Sequence, residues 1–244
     1  VGGGSGSDVS ADYFGVWAEI MERELGGNTA SSKPPFVAML TNGCSGDINN
    51  IDVHNRLEQP HRYHQMHAVA REVADEAIKV VENIDYRDWV PLAAEQRILD
   101  LGVRKPSQEE VEEAKEIWNK AERPLKTLRE IYARETVLLA QRADRVQTPI
   151  QAIQIGDVGI ATFPGEAFVE LGLEVKERAP FPMTFCIELA NDYVGYIPTV
   201  EAHGQGGYET WRARSSFLER GAAPSMVSTA LNLLQNLQST QSKN

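Results

Sequence analysis

Val146 to Ile155 alternates apolar and polar residues, Gly156-Asp157 offers a two-residue turn, and Val158 to Phe163 returns as an apolar run. Alternation on both sides of a Gly-Asp pair specifies an antiparallel hairpin with one face against a core. A hairpin cannot cover its own apolar face, so the rest of the chain must supply a second layer. The hairpin then stops abruptly at Pro164-Gly165 and delivers Glu166, read as the start of a helix over about 166–178. A strand over Met183 to Glu188 follows.

Upstream, Ser10 is the expected N-cap of a helix over about 11–25, with Trp17, Ile20, Met21 and Leu25 on one face. Phe36 to Leu40 reads as a short buried strand. It runs into Thr41-Asn42-Gly43-Cys44-Ser45-Gly46-Asp47-Ile48-Asn49-Asn50, a polar loop at a strand end, a common place for a site in an α/β sheet. Pro60 suits the first turn of a long helix over about 60–83. Residues 92–103 read as a strand. Ser107 with Glu110 forms a capping-box pattern. Pro124 separates the helix it opens from a second one over about 125–143, and this charged pair reads as an excursion packed on the domain. A last helix covers about 224–238. The fold class is α/β or α+β in one domain, with mixed sheets flanked by helices.

At 244 residues the chain can bury a sizeable core, and no apolar run reaches the length of a transmembrane helix. A net charge of −11 argues against a nucleic-acid partner, which would require a basic face. The residues themselves fix no oligomeric state. The N-terminal glycine-serine run reads as a linker or as a cut through a longer polypeptide. Cys44 and Cys186 lie far apart and match no zinc spacing. Two buried thiols are the expectation and one disulfide the alternative.

Candidate chemistry concentrates in loops. Glu166 stands at a Pro-Gly corner, and Tyr193, Tyr196 and Tyr208 flank glycines and a proline. A phenol with a pKa of about 10 is a poor base or ligand unless a cation lies beside it. His61, His64 and His67 have the spacing of a helix face and read as a solvated first turn in preference to a metal site. His203 is a remote candidate between Tyr196 and Tyr208, and Cys44 would be a nucleophile only with a histidine partner.

Taken in order, four motifs resemble the neutral/alkaline, non-lysosomal ceramidase family. Ser10-Ala11-Asp12-Tyr13-Phe14-Gly15 resembles its S-x-D-x-x-G segment, and Gly46-Asp47-Ile48-Asn49-Asn50 its G-D-V-S-P-N loop. Pro164-Gly165-Glu166 resembles its P-G-E corner. Asn191 to Thr199, followed by Tyr208-Glu209, resembles its N-x-Y-x-x-Y-x-x-T stretch and later Y-E-G tyrosine. The resemblance implies a catalytic domain of two packed sheets flanked by helices, of which residues 1–244 would form the C-terminal part, with the helical pair at about 107–143 as an excursion. It implies a zinc-dependent hydrolase of amide or ester bonds acting on a small-molecule or lipid amide. Glu166 and Tyr196 would be metal ligands, with two histidine ligands upstream of residue 1. Tyr208 and Asn49 would be catalytic, steadying the oxyanion, and Gly46 and Asp47 would bind substrate. Alone, this stretch is expected to hold zinc weakly and to be inactive. An exported or periplasmic location is implied by resemblance only. Asn49 stands where the motif has serine and Asn50 where it has proline. That departure motivates the alternative, a non-catalytic lipid- or ligand-binding domain that keeps the fold.

Overall fold

Two helices at the N-terminal end meet through complementary faces. The computed structural model describes residues 9–26, 35–49, 54 and 63–241, with the side chains of 240 and 241 left aside. Contacts divide the chain into two compact units, Val1–Thr41 with Asn49–Trp89, and Asn42–Ile48 with Val90–Asn244. In the first, α1 (Asp12–Leu25) and α2 (His64–Val81) pack Trp17, Ile20 and Met21 against Ala70 and Ala74. The alanines, one turn apart, are fully buried and admit the indole and its neighbours between the helices.

Three expectations for this unit change. The cap of α1 is Ala11 without a side-chain bond. Ser10 lies one residue too early to reach the second or third helical amide, and its Oγ accepts from the Asp12 amide at 3.0 Å. Phe36 to Leu40 is irregular, and Val37 and Met39 are exposed. A five-residue apolar run has too little periodicity to fix its own state. The helix expected from residue 60 begins at His64. Pro60 and His61 lie outside the described residues, while His64 and His67 are exposed.

The second unit is built on the hairpin. β1 (Leu92–Gly102) leads through α3 (Gln108–Lys120) and α4 (Leu128–Ala140) to β2 (Arg145–Ile155) and β3 (Val158–Thr162). There follow β4 (Glu166–Ala167), α5 (Val169–Arg178), β5 (Met183–Ile187), β6 (Tyr196–Ile197), α6 (Val200–Gln205) and α7 (Ala222–Gln241). The main sheet runs β1-β2-β3-β5, with β1, β2 and β3 antiparallel in turn and β5 parallel to β3. The fold is therefore mixed α/β, a four-stranded mixed sheet flanked by helices. β4 and β6 form a separate parallel pair.

The alternation of β2 is borne out, because Thr148, Ile150, Ala152 and Gln154 are buried on one face. α7 covers that sheet with Met226, Ala230, Leu233, Leu234 and Leu237, each 3% exposed or less. Burying a side chain of this kind contributes roughly 1.5–3 kcal/mol. Both capping boxes are complete, Ser107 with Glu110 on α3 and Thr127 with Glu130 on α4. α3 and α4 share a small cluster of Ala114, Ala133 and Val137.

The helix expected to start at Glu166 is the main correction in this unit. Glu166 and Ala167 are strand, and α5 begins at Val169. The Glu166 amide donates to Gly195 O at 2.9 Å, so the corner pairs with a segment thirty residues on instead of coiling. Glu166 therefore does not sit on a helix dipole.

Candidate active site

Parallel pairing of β4 with β6 sets Glu166 opposite Tyr196 in register. Register-paired residues on neighbouring strands project to the same face. The pairing rests on the Pro164-Gly165 corner, where Pro164 O accepts from Val194 N at 2.8 Å. The Tyr196 amide donates to Ser215 O at 2.8 Å. Tyr208 reaches the same place from a single 3-10 turn, Tyr208–Thr210, beyond α6. Its ring meets Tyr196 edge to face, with centroids 5.7 Å apart and an interplanar angle of 86°. The turn is gripped from below by Arg104, whose guanidinium donates to Thr210 O at 2.9 Å and to Ser216 O at 2.8 Å. Burial, then Arg212 and Arg220, draw the Arg104 pKa down to about 10.

The Tyr196 phenol stands beside the Tyr208 ring and in register with Glu166. Desolvation first, then Tyr208 and the Glu166 carboxylate, pushes it well above the usual phenol range. The sequence-predicted Glu166, Tyr196 and Tyr208 are thus brought together. Tyr193 joins them, since its O–H donates to Glu166 Oε1 at 2.7 Å. Burial and that bond push Tyr193 up to about 12. Asp192 orients this segment by accepting from the Tyr193 amide and from Thr148 Oγ1, both at 2.8 Å.

The 42–48 loop lies against β4. Gly46 N donates to Ala167 O at 2.8 Å, and a Cβ on Gly46 would stand 2.3 Å from Glu166 O. Only glycine permits that approach. Asp47 Oδ1 accepts from the Val169 amide at 2.8 Å, so a loop carboxylate caps α5 from a distance. Asn49 is exposed and belongs to the N-terminal unit. His203 is half-buried, and desolvation with the charges of Arg104 and Arg220 lowers its pKa. Beside Asp47 opens a cavity of about 660 Å³ lined by Phe168, Leu171, Val200, Ala202 and Val227.

Sequence reasoning missed Glu188. It is 4% exposed and accepts from Asn42 Nδ2 at 2.7 Å, Ser45 Oγ at 2.5 Å, Ser45 N at 3.1 Å and Ala167 N at 2.9 Å. Desolvation raises its pKa despite those donors. It clamps the loop to β4. A carboxylate closing an otherwise apolar strand was the signal available.

As a metal centre the cluster is incomplete by itself. Glu166 and Tyr196 are two oxygen donors, half of a tetrahedral zinc shell. Among the described residues no three His, Cys, Asp or Glu side chains group closely enough to hold a metal ion. No described helix is long and apolar enough to cross a membrane.

No protein-family model matches the sequence, and no curated protein matches it. The fold does have solved counterparts. It is similar to the crystal structure of neutral ceramidase from Pseudomonas aeruginosa, with a TM-score of 0.64 at 15% identity over 95% of this chain and 41% of that one. It is also similar to a structure described as ceramidase complexed with C2, with a TM-score of 0.62 at 14% identity over 95% of this chain and 43% of the other. The chain spans about two fifths of the length of either. At such identity the likeness establishes a ceramidase-like fold.

Proposed function

We propose that this chain carries part of the active site of a zinc-dependent, ceramidase-like hydrolase that cleaves an amide or ester bond in a small or lipid substrate. The observation that supports this reading most is the meeting of one carboxylate and three phenols, Glu166 with Tyr193, Tyr196 and Tyr208, on a fold shared with ceramidases. Glu166 and Tyr196 would be two ligands of the metal, and other residues would have to bring two more. Zinc, when bound, supplies Lewis acidity and favours ionisation of an attacking water.

The chain's own residues would do the remaining work. Tyr193 donates to Glu166 Oε1 and fixes the carboxylate's orientation. With its pKa near 12, that phenol stays protonated and donating across the neutral range. Tyr208 is half exposed at 52%, so a substrate carbonyl can reach it, and its O–H would donate to the oxygen that gains charge in the transition state. Gly46 and Asp47 would line the substrate's path, next to the cavity beside α5.

The test is zinc content and hydrolysis of N-acyl amines, measured together on the naturally expressed protein. Glu166→Gln is expected to lose metal and turnover in parallel. Tyr208→Phe is expected to keep zinc and lose roughly 10²–10³ in rate, as for an oxyanion donor. Stoichiometric zinc in the Glu166 variant, or an unchanged rate without Tyr208, would overturn the assignment. Asn49 at the serine position favours one rival, a binding domain. Saturable N-acyl lipid binding with neither zinc nor turnover would support it.

A further inference from the structure

The loop that carries Gly46 and Asp47 also carries Cys44, and the fold brings this thiol to Cys186, 142 residues on. Both are free thiols, Cys186 buried at 4% and Cys44 half-buried. Both side chains pack against Gly172, and the Cys186 S–H donates to Gly172 O at 3.9 Å. Gly172 makes the meeting possible. A Cβ there would lie 2.9 Å from Cys44 Sγ and 4.0 Å from the Cys186 Cβ. The surroundings hold the loop beside β5 in any case, since Glu188 N donates to Asn42 O at 3.0 Å and the Glu188 carboxylate binds Asn42 and Ser45. No histidine is needed to explain Cys44; its partner is the second thiol.

We propose that Cys44 and Cys186 are a redox-modification site: exchange with a low-molecular-weight disulfide, such as glutathione disulfide, joins them and staples the 42–48 loop to β5. Cys44, the more accessible sulfur, attacks once its proton has left, a slow step because Cys186 and burial push this thiol up, and forms a mixed disulfide while expelling one glutathione thiolate. Cys186, deprotonated, then attacks the Cys44 sulfur, expels the second glutathione and closes the protein disulfide. Two thiols are oxidised, two protons leave, and one glutathione disulfide is reduced to two glutathiones. The bond duplicates covalently what Glu188 does through hydrogen bonds. It fixes the loop that meets Glu166, yet it is independent of any catalytic role for that loop.

The experiment is equilibration of the full chain across ratios of reduced to oxidised glutathione, followed by acid quench, alkylation and intact mass. Both thiols are expected to disappear in one transition, with loss of two hydrogens and no retained glutathione. The oxidised protein should run as a monomer and gain roughly 5–15 °C in Tm, reversed by reductant. Exchange of the Gly46 amide should slow on oxidation. Cys186→Ser should trap glutathione on Cys44. A stable wild-type adduct at Cys44, a disulfide-linked dimer, or two alkylatable thiols at every ratio would each overturn the proposal. These readouts follow thiols and loop stability, so they stand or fall apart from zinc and turnover.

Discussion

At the scale of single residues, Glu188 settles where the 42–48 loop lies. Four donors from two segments converge on one carboxylate that water scarcely reaches. Glu188→Ala would leave Ala167 N and Asn42 Nδ2 without their acceptor at a cost of about 2–4 kcal/mol, read as a lower urea midpoint. The pH response has a definite sign. Burial raises the folded-state pKa, so the folded protein binds this proton more tightly than the unfolded chain does. The group's contribution is complete below the ordinary carboxylate range and falls away as pH rises through the raised value. Glu188→Gln cannot ionise. Relative to wild type it is therefore expected to gain stability as pH rises across that window, and a parallel pair of pH–midpoint curves would contradict the account.

At the scale of elements, α4 is fastened to the segment that precedes α7 by one ion pair. Glu135, 7% exposed, accepts from Arg214 Nε at 2.7 Å and Nη2 at 2.9 Å, and from Arg134 at 2.8 Å. Arg214, then Arg134, hold its pKa below the usual carboxylate range. This stabilisation is present above that range and is lost as pH falls through the depressed value. Because Arg214 is half exposed, Glu135→Ala is expected to cost about 1–3 kcal/mol at neutral pH, and thermal melts should converge with wild type in acid.

The same elements show what a sequence can and cannot announce. The hairpin, the Ser107–Glu110 capping box and the apolar face of α7 are local, written within a few residues of one another, and they were legible. So was the candidacy of Glu166, Tyr196 and Tyr208, through motif order. The strand state of Glu166 was not, because it depends on a hydrogen bond to Gly195 that local propensity does not encode. Glu188 escaped for the same reason, depending on a contact more than 140 residues away in sequence, and the equally distant Cys44–Cys186 meeting stood only as an alternative.

At the scale of the whole molecule, the unit that holds the cluster is discontinuous. Asn42–Ile48 belongs with Val90–Asn244. A fragment starting at Val90 keeps the sheet, α5 and α7, but loses the partners of Glu188 and the Asp47 cap on α5. It is expected to fold with native-like circular dichroism and a Tm lower by roughly 5–15 °C. Adding a synthetic 42–48 peptide should restore part of that loss, and an undiminished Tm would show that the loop contributes nothing to the unit.

Because Ile48 and Val90 both belong to that unit, the chain leaves it at one and returns at the other, having formed α2 in between. Every hydrogen-bond partner of the Glu188 carboxylate lies outside that excursion. A bulky residue at Ala70 or Ala74 would therefore damage the helix pair while leaving the Glu188 clamp with all its own contacts.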